Sequence, residues 1–128
     1  MMSLLHRQAG KRGHEAEVLA RRWLEQQGLT HLDSNWHCRL GEIDLIMRDG
    51  DCLVFVEVRY RQSRSFGGAL ASVTASKQRK LCAAAGIWLS RQKTAPDACR
   101  FDVLGMEPDA SGNLQYQWIQ NAFTGDNA

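Results

Sequence analysis

No stretch of the 128-residue chain approaches the ~20 consecutive apolar residues that a membrane-spanning helix requires. The opening residues, MMSLLHRQAGKRG, also lack the apolar core of a secretory signal. A cytoplasmic location and no membrane partner are therefore expected. Repeats and dividing linkers are missing too, so a single domain with one core is expected over residues 1–128, with short frayed ends at about 1–10 and 123–128. The four cysteines, Cys38, Cys52, Cys82 and Cys99, form no C-x-x-C pair, and no histidine stands at metal-site spacing from them. That argues against a zinc centre or a disulfide framework and for buried free thiols. His6, His14, His31 and His37 share no spacing, and none is given a role. Net charge is only +2, too small to argue for nucleic acid by itself.

What is present fits a packed globular fold: 44% of residues are hydrophobic and 23% charged. Of the 16 basic residues 12 are arginine, the side chain suited to bidentate phosphate contacts. Residues 11–28 read as a helix whose apolar stripe is Ala16, Leu19, Ala20, Trp23 and Leu24. Glu17 falls at the edge of that stripe, and Gly28 supplies the stop. Strands follow at 29–38, 42–48 and 52–60. Residues 61–75 read as a basic, serine-rich loop, and 76–92 as a second helix capped by Thr74 or Ser76, with Leu81, Ala84, Ala85 and Trp88 on its apolar face. Further strands lie at 99–106 and 114–120. The order α-β-β-β-α-β-β predicts an α/β fold with one mixed sheet of about five strands flanked by helices.

Three acids sit inside the hairpin GEIDLIMRDGDCLVFVEVRY: Glu42, Asp44 and Glu57. Alternation places Glu42, Asp44 and Ile46 on one face of their strand, and Leu53, Phe55, Glu57 and Arg59 on one face of the next. A Gly50-Asp51 loop would set Asp44 opposite Glu57; an Asp49-Gly50 loop would set Glu42 opposite Glu57, with Asp44 diagonal. Both registers bring Asp44 and Glu57 to one face. Facing carboxylates repel, and burial raises the cost by several kcal/mol per ion unless a cation compensates. Arg59 could neutralise one acid as an ordinary cross-strand ion pair, with the acids reaching water at the sheet ends. A hard divalent cation could compensate both acids. The apolar run VFVEVR favours the second account, because surface decoration does not explain a glutamate there.

GEIDLI, the hairpin, VFVEVRYR and then FGGALASVTASKQRKL resemble the YraN-like family of bacterial proteins, from about Gly10 to Phe123. That family is similar to the PD-(D/E)-x-K nuclease superfamily, especially its Holliday-junction-resolvase-like and restriction-endonuclease-like members. The resemblance implies a restriction-endonuclease-like α-β-β-β-α-β core. It implies Asp44 and Glu57 as ligands of Mg²⁺ or Mn²⁺, and Glu17, placed by its spacing to ARRWL, as an acid that completes the metal site or anchors its water. Such a metal would polarise a phosphodiester and activate water. Arg59 stands where the superfamily usually has lysine. It cannot be a general base, but it can stabilise charge building on the phosphoryl group. No proline precedes Asp44; the residues are Gly-Glu-Ile-Asp.

The implied activity is that of a metal-dependent endonuclease acting on DNA, with branched DNA among the candidate substrates. A homodimer is the expectation from resolvase-like relatives, which pair to cut two strands. Two alternatives stand beside it: a nucleic-acid-binding module on the same fold without catalysis, and an adaptor whose acids only form ion pairs. Arg61 and Arg64, with Lys77, Arg79 and Lys80 at the start of the second helix, form a candidate phosphate-binding rim. Gln78 is a candidate to orient a water or touch the nucleic-acid backbone. Trp23 and Trp88 are expected in the core rather than stacking bases. Asp102 is expected either to support the site or to pair with Arg100, and Glu42 to stand behind the site or pair with Arg59.

Overall fold

The structure, a computed structural model, describes residues 2–61 and 68–125, with side chains from residue 14 onward. Helix α1 runs Met2–Gln26, beginning earlier than the expected residue 11. Strands β1 (Thr30–Cys38), β2 (Gly41–Asp49) and β3 (Cys52–Tyr60) follow, then a short helix α2 (Gly68–Ala71) within what reads as loop. Helix α3 (Ala75–Ser90) and strands β4 (Ala98–Pro108) and β5 (Leu114–Phe123) complete the order. The sheet runs β1-β2-β3-β4-β5. Only the β3–β4 pair is parallel, as a connection through helices requires. Among the described residues no helix is long and apolar enough to cross a membrane.

Local chemistry sets the ends of these elements. Gly28, at φ 101°, closes α1 in a Schellman arrangement: its N–H donates to Glu25 O at 3.0 Å, and Leu29 N–H to Leu24 O at 3.1 Å. Leu24 and Leu29 then bury together. Gly50, at φ 60°, is the first central residue of the β2–β3 turn. The turn pairs Asp49 with Cys52, so the loop is Gly50-Asp51. Thr74 Oγ1 accepts the Lys77 N–H at 3.2 Å and starts α3.

The sheet carries apolar side chains on both faces. Ala16, Ala20 and Leu24 of α1 cover Leu45, Met47, Val54, Val56, Leu104 and Met106. On the other face, α2 and α3 bring Ala69, Leu81, Ala84 and Ala85 against Ile46, Leu53, Phe55, Phe101 and Val103. Burial on both sides explains the unbroken apolar reading of β3. Leu19, expected in the α1 stripe, is 39% exposed; the buried stripe is narrower because small Ala16 and Ala20 seat the helix close to the sheet. Trp23 stacks on Tyr116 at 4.9 Å and Trp88 meets Phe55 edge-on at 6.0 Å, both as core packing. The cysteines are free, but none is buried: Cys99 is exposed and the others are half-buried at the margins of the core.

Asp102 is a structural acid. It lies buried on β4 and accepts from Arg100 Nε at 3.0 Å, Trp118 Nε1 at 2.9 Å and the Asn121 N–H at 2.9 Å. Arg100 continues to Asp49 at 3.0 Å. The acid ties the irregular β4–β5 register between Phe101 and Val103 to the β2–β3 turn, and pairs with Arg100 rather than supporting Asp44. Asp102→Ala should lower stability by about 2–4 kcal/mol, since it leaves the half-buried Arg100 guanidinium and the Trp118 and Asn121 donors without their buried acceptor. Urea unfolding of the two proteins measures this, and Asp49→Ala, at the half-exposed end of the chain of contacts, should cost well under half as much.

Candidate metal and nucleic-acid site

Asp44 and Glu57 meet where β2 and β3 stop pairing. The last ladder pair is Leu45 with Val56, and continuing that register sets Asp44 opposite Glu57. Freed from the ladder, the Val58 N–H donates to Asp44 Oδ2 at 2.9 Å. The Asp44 side chain therefore acts directly on the Glu57 carboxyl. Glu57 is 4% exposed. Arg59 Nη2 donates to Glu57 Oε2 at 2.6 Å, and Lys77 Nζ, brought in by the first turn of α3, lies 3.7 Å from the same oxygen.

The strand alternation breaks here. Ile43 packs with the α3-side core, whereas Leu45, two residues on, packs with the α1-side core. A regular strand would send both to one side. Across from Asp44, between the pairs Ser34–Leu45 and Trp36–Ile43, stands Asn35 in the left-handed region at φ 52°. Asparagine tolerates that conformation better than most residues, and such a kink re-aims its neighbours. Asn35 also hydrogen-bonds Glu17, which reaches across from the edge of the buried α1 stripe. Asp44 thus sits at a seam, with Glu17 on one side and Glu57 on the other.

Electrostatics follow from the burial. Desolvation, the hydrogen bond with Asp44 and the Asp44 charge push the Glu57 carboxyl up to about 8, against the opposing pull of Arg59 and Lys77. Burial raises Glu17 as well; the Asn35 hydrogen bond opposes it, and the charge of Asp44 adds to the rise. Two acids, two cations and one retained proton therefore share a small volume. Arg59 Nε is buried and finds no acceptor among the described residues. The oxygen donors and the retained proton suit exchange for a hard cation. No group of three His, Cys, Asp or Glu side chains among the described residues is gathered closely enough to hold a metal, so Glu17 stands off from the Asp44–Glu57 pair.

Two hollows adjoin the cations that contact Glu57, one at Arg59 and one at Lys77. One, of about 480 Å³, is lined by Arg59, Arg61 and residues of β4 and β5. The other, of about 390 Å³, lies between the β1–β2 turn and α3 and is lined by Arg39, Lys77 and Lys80. Arg61 lines the first hollow and Lys80 the second, and Lys77 contacts Glu57 itself. Arg64 lies outside the described residues. Gln78 is turned to its own chain: its Nε2 donates to Val73 O at 3.1 Å, which ties α3 to the α2–α3 turn. Glu42 pairs with His37 at 3.1 Å, not with Arg59, because the chosen register leaves it beyond the ladder.

Residues 16–106 match the family described as Uncharacterised protein family UPF0102. The chain belongs to this family. It is 55% identical over 112 residues to a UPF0102 protein of Alcanivorax borkumensis, covering 87% of this chain and 90% of the relative. It is 53% identical over 113 residues to UPF0102 protein YraN of Salmonella arizonae, covering 87% and 82% respectively. The match bears out the YraN-like resemblance and contains Glu17, Asp44, Glu57 and Arg59. Asn35, which stands beside Asp44 in the structure, was not singled out by pattern; its one signal is an asparagine inside a strand, where that residue is uncommon.

Because the folded chain keeps a proton on Glu57 that the unfolded chain loses near 4.5, stability is fully present below that pH and falls as pH rises toward about 8. The loss should be on the order of 2–4 kcal/mol. Glu57→Gln, which keeps a donor to Asp44, should flatten the slope and leave the metal-free protein more stable than wild type at pH 8. Urea unfolding from pH 5 to 8.5 in EDTA reads both effects.

Proposed function

We propose that the protein is a divalent-metal-dependent phosphodiester hydrolase of the endonuclease type, acting on DNA, with branched DNA among its substrates. One observation carries the reading: two carboxyl groups meet at the end of the sheet, one of them buried in an apolar strand, with arginine and lysine on the same oxygen. A protein that needed only an ion pair has no cause to accept the cost of that second acid. The likeness to PD-(D/E)-x-K nucleases agrees with it.

On this reading Asp44 and Glu57 hold Mg²⁺ or Mn²⁺. The ion, when bound, supplies charge for the phosphoryl oxygens and makes water a better nucleophile. Arg59 holds Glu57 in place and faces the charge that builds on the phosphoryl group; its guanidinium cannot take a proton. Glu17, on the α1 side of Asp44, would anchor a water at the ion or join its ligand shell. Lys77, Lys80, Arg39 and Arg61 hold the flanking phosphates. In a homodimer, two such centres would serve two strands.

The second reading, a nucleic-acid-binding module without catalysis, is favoured by one specific feature. Arg59 and Lys77 already contact Glu57 Oε2, and they compete with a metal for that oxygen.

Mn²⁺ titration calorimetry at pH 7.5 separates the readings. Wild type should bind with release of close to one proton per ion, measured from the dependence of the heat on buffer ionisation, and Asp44→Ala should bind at least about tenfold more weakly. Metal-dependent cuts in branched DNA should vanish in the same variant. Binding of DNA without cuts would establish the second reading, and absence of metal binding in wild type would sink the hydrolase.

A further inference from the structure

The turn that joins β1 to β2 carries a side chain that turns rarely use. Cys38 pairs with Gly41, so the loop is Arg39-Leu40. Loops of two residues favour glycine, asparagine and aspartate. Leu40 instead is 44% exposed, the most exposed of the large apolar side chains described. It belongs to neither of the two apolar clusters that cover the sheet. The tip is also held firmly. Gly41 seats it against α3, because a Cβ there would meet the Lys80 carbonyl oxygen. Behind the tip, His37 and Glu42 pair across the two strands at 3.1 Å.

Leu40 lines the smaller hollow together with Arg39, Lys77 and Lys80, while the acid there, Glu42, is paired with His37. Three cations gather a polyanion, and for that purpose a polar tip would serve as well. An apolar prong among cations calls for a ligand that offers phosphates with flat apolar faces between them, which is the chemistry of nucleic acid. An anionic membrane also combines charge with hydrocarbon. One leucine on a turn, however, lacks the broad apolar face with which a protein lies in a bilayer surface. Lys77 links the tip to the acids, since it lines the hollow and contacts Glu57 Oε2 at 3.7 Å. Asp44 stands four residues along the chain from Leu40. In extended chain that is roughly 13 Å, the span of about four base-pair steps.

We infer that Leu40 is a wedge that enters an opened base step while Arg39, Lys77 and Lys80 hold the phosphates around it. The inference rests on the nucleic-acid reading of the neighbouring acids and adds the feature that is recognised: an interruption of the base stack, at a branch point, bulge or nick, within about four base-pair steps of the phosphate at Glu57. An apolar side chain inserted into continuous duplex must first unstack it, whereas a branch point offers a step that is already open. Leucine has no side-chain donor or acceptor, so the wedge reads the open stack and not the base sequence. Continuous duplex is the disfavoured substrate.

Binding is measured with EDTA present, so that cleavage does not interfere. The probes are a DNA four-way junction with 2-aminopurine at the branch point and a continuous duplex with the same base at its centre. Stacking quenches this base, so its emission reports an opened step, and anisotropy of an end label reports affinity. Wild type should raise the emission of the junction at least about twofold and that of the duplex much less. Leu40→Ala should lose most of the rise while its affinity falls less than about tenfold, because the cations still hold the phosphates. Leu40→Met should restore the rise. The side chain is exposed, so urea unfolding of both variants should match wild type. An undiminished rise with Leu40→Ala overturns the inference, as does wild type that binds the junction without any rise. Tighter binding to vesicles of equal parts phosphatidylcholine and phosphatidylglycerol than to the junction overturns it as well. The same DNAs incubated with Mn²⁺ keep the two ideas apart. A Leu40-dependent rise without cuts retains the wedge and defeats the hydrolase; cuts without a rise do the reverse. Failure to bind either DNA defeats both.

Discussion

Glu57 lies in the middle strand of a sheet covered on both faces, where the neighbouring residues are valine and phenylalanine. An acid in that environment must be neutralised or protonated. The surrounding site can be understood as the response to that constraint. Asp44 faces it and helps to hold it protonated, Arg59 is held against it from two residues along the strand, and Lys77 arrives from the first turn of α3. Gly41 permits that arrival, since a Cβ there would lie 3.0 Å from the Lys80 carbonyl oxygen. The seating of α3 on the start of β2 and the electrostatics of the acids are thus one arrangement.

The contrast with Asp102 shows what is particular about Glu57. Asp102 is as deeply buried, yet it accepts from a guanidinium, an indole and a backbone amide. An acid so completely paired is part of the scaffold. Glu57 meets a second acid instead and retains a proton, and the arginine beside it keeps a buried Nε without an acceptor among the described residues. Incomplete satisfaction is costly to the fold, and it is concentrated at cations that line two hollows.

Much of the scaffold was legible from local pattern. The apolar spacing of α1, the glycine that ends it, the turn at Gly50 and the threonine cap of α3 each depend on a few neighbouring residues. The hairpin left two registers open, and both brought Asp44 and Glu57 to one face; the Gly50-Asp51 loop resolved the choice. Long-range consequences were less legible. The spacing of Leu19 fits the core, but the small Ala16 and Ala20 draw the helix in along a narrower line. Glu42 is a candidate partner of Arg59 by pattern, but it lies beyond the β2–β3 pairing and meets His37 across the β1–β2 ladder.

The sequence by itself determined the strand that must be buried, the acid within it and the turn that delivers a second acid to it, because these follow from composition and short-range geometry. Tertiary structure alone decided how the acids are surrounded. The left-handed residue Asn35 opposite Asp44, the change of face between Ile43 and Leu45, and the reach of Glu17 from α1 all depend on contacts between residues far apart in the chain. So does the hollow at the ends of β3 and β4, whose shape is set by how α2 meets Gly105. Pattern reading carries information over one helical turn or one hairpin, whereas burial and the protonation of a buried acid depend on which elements pack together.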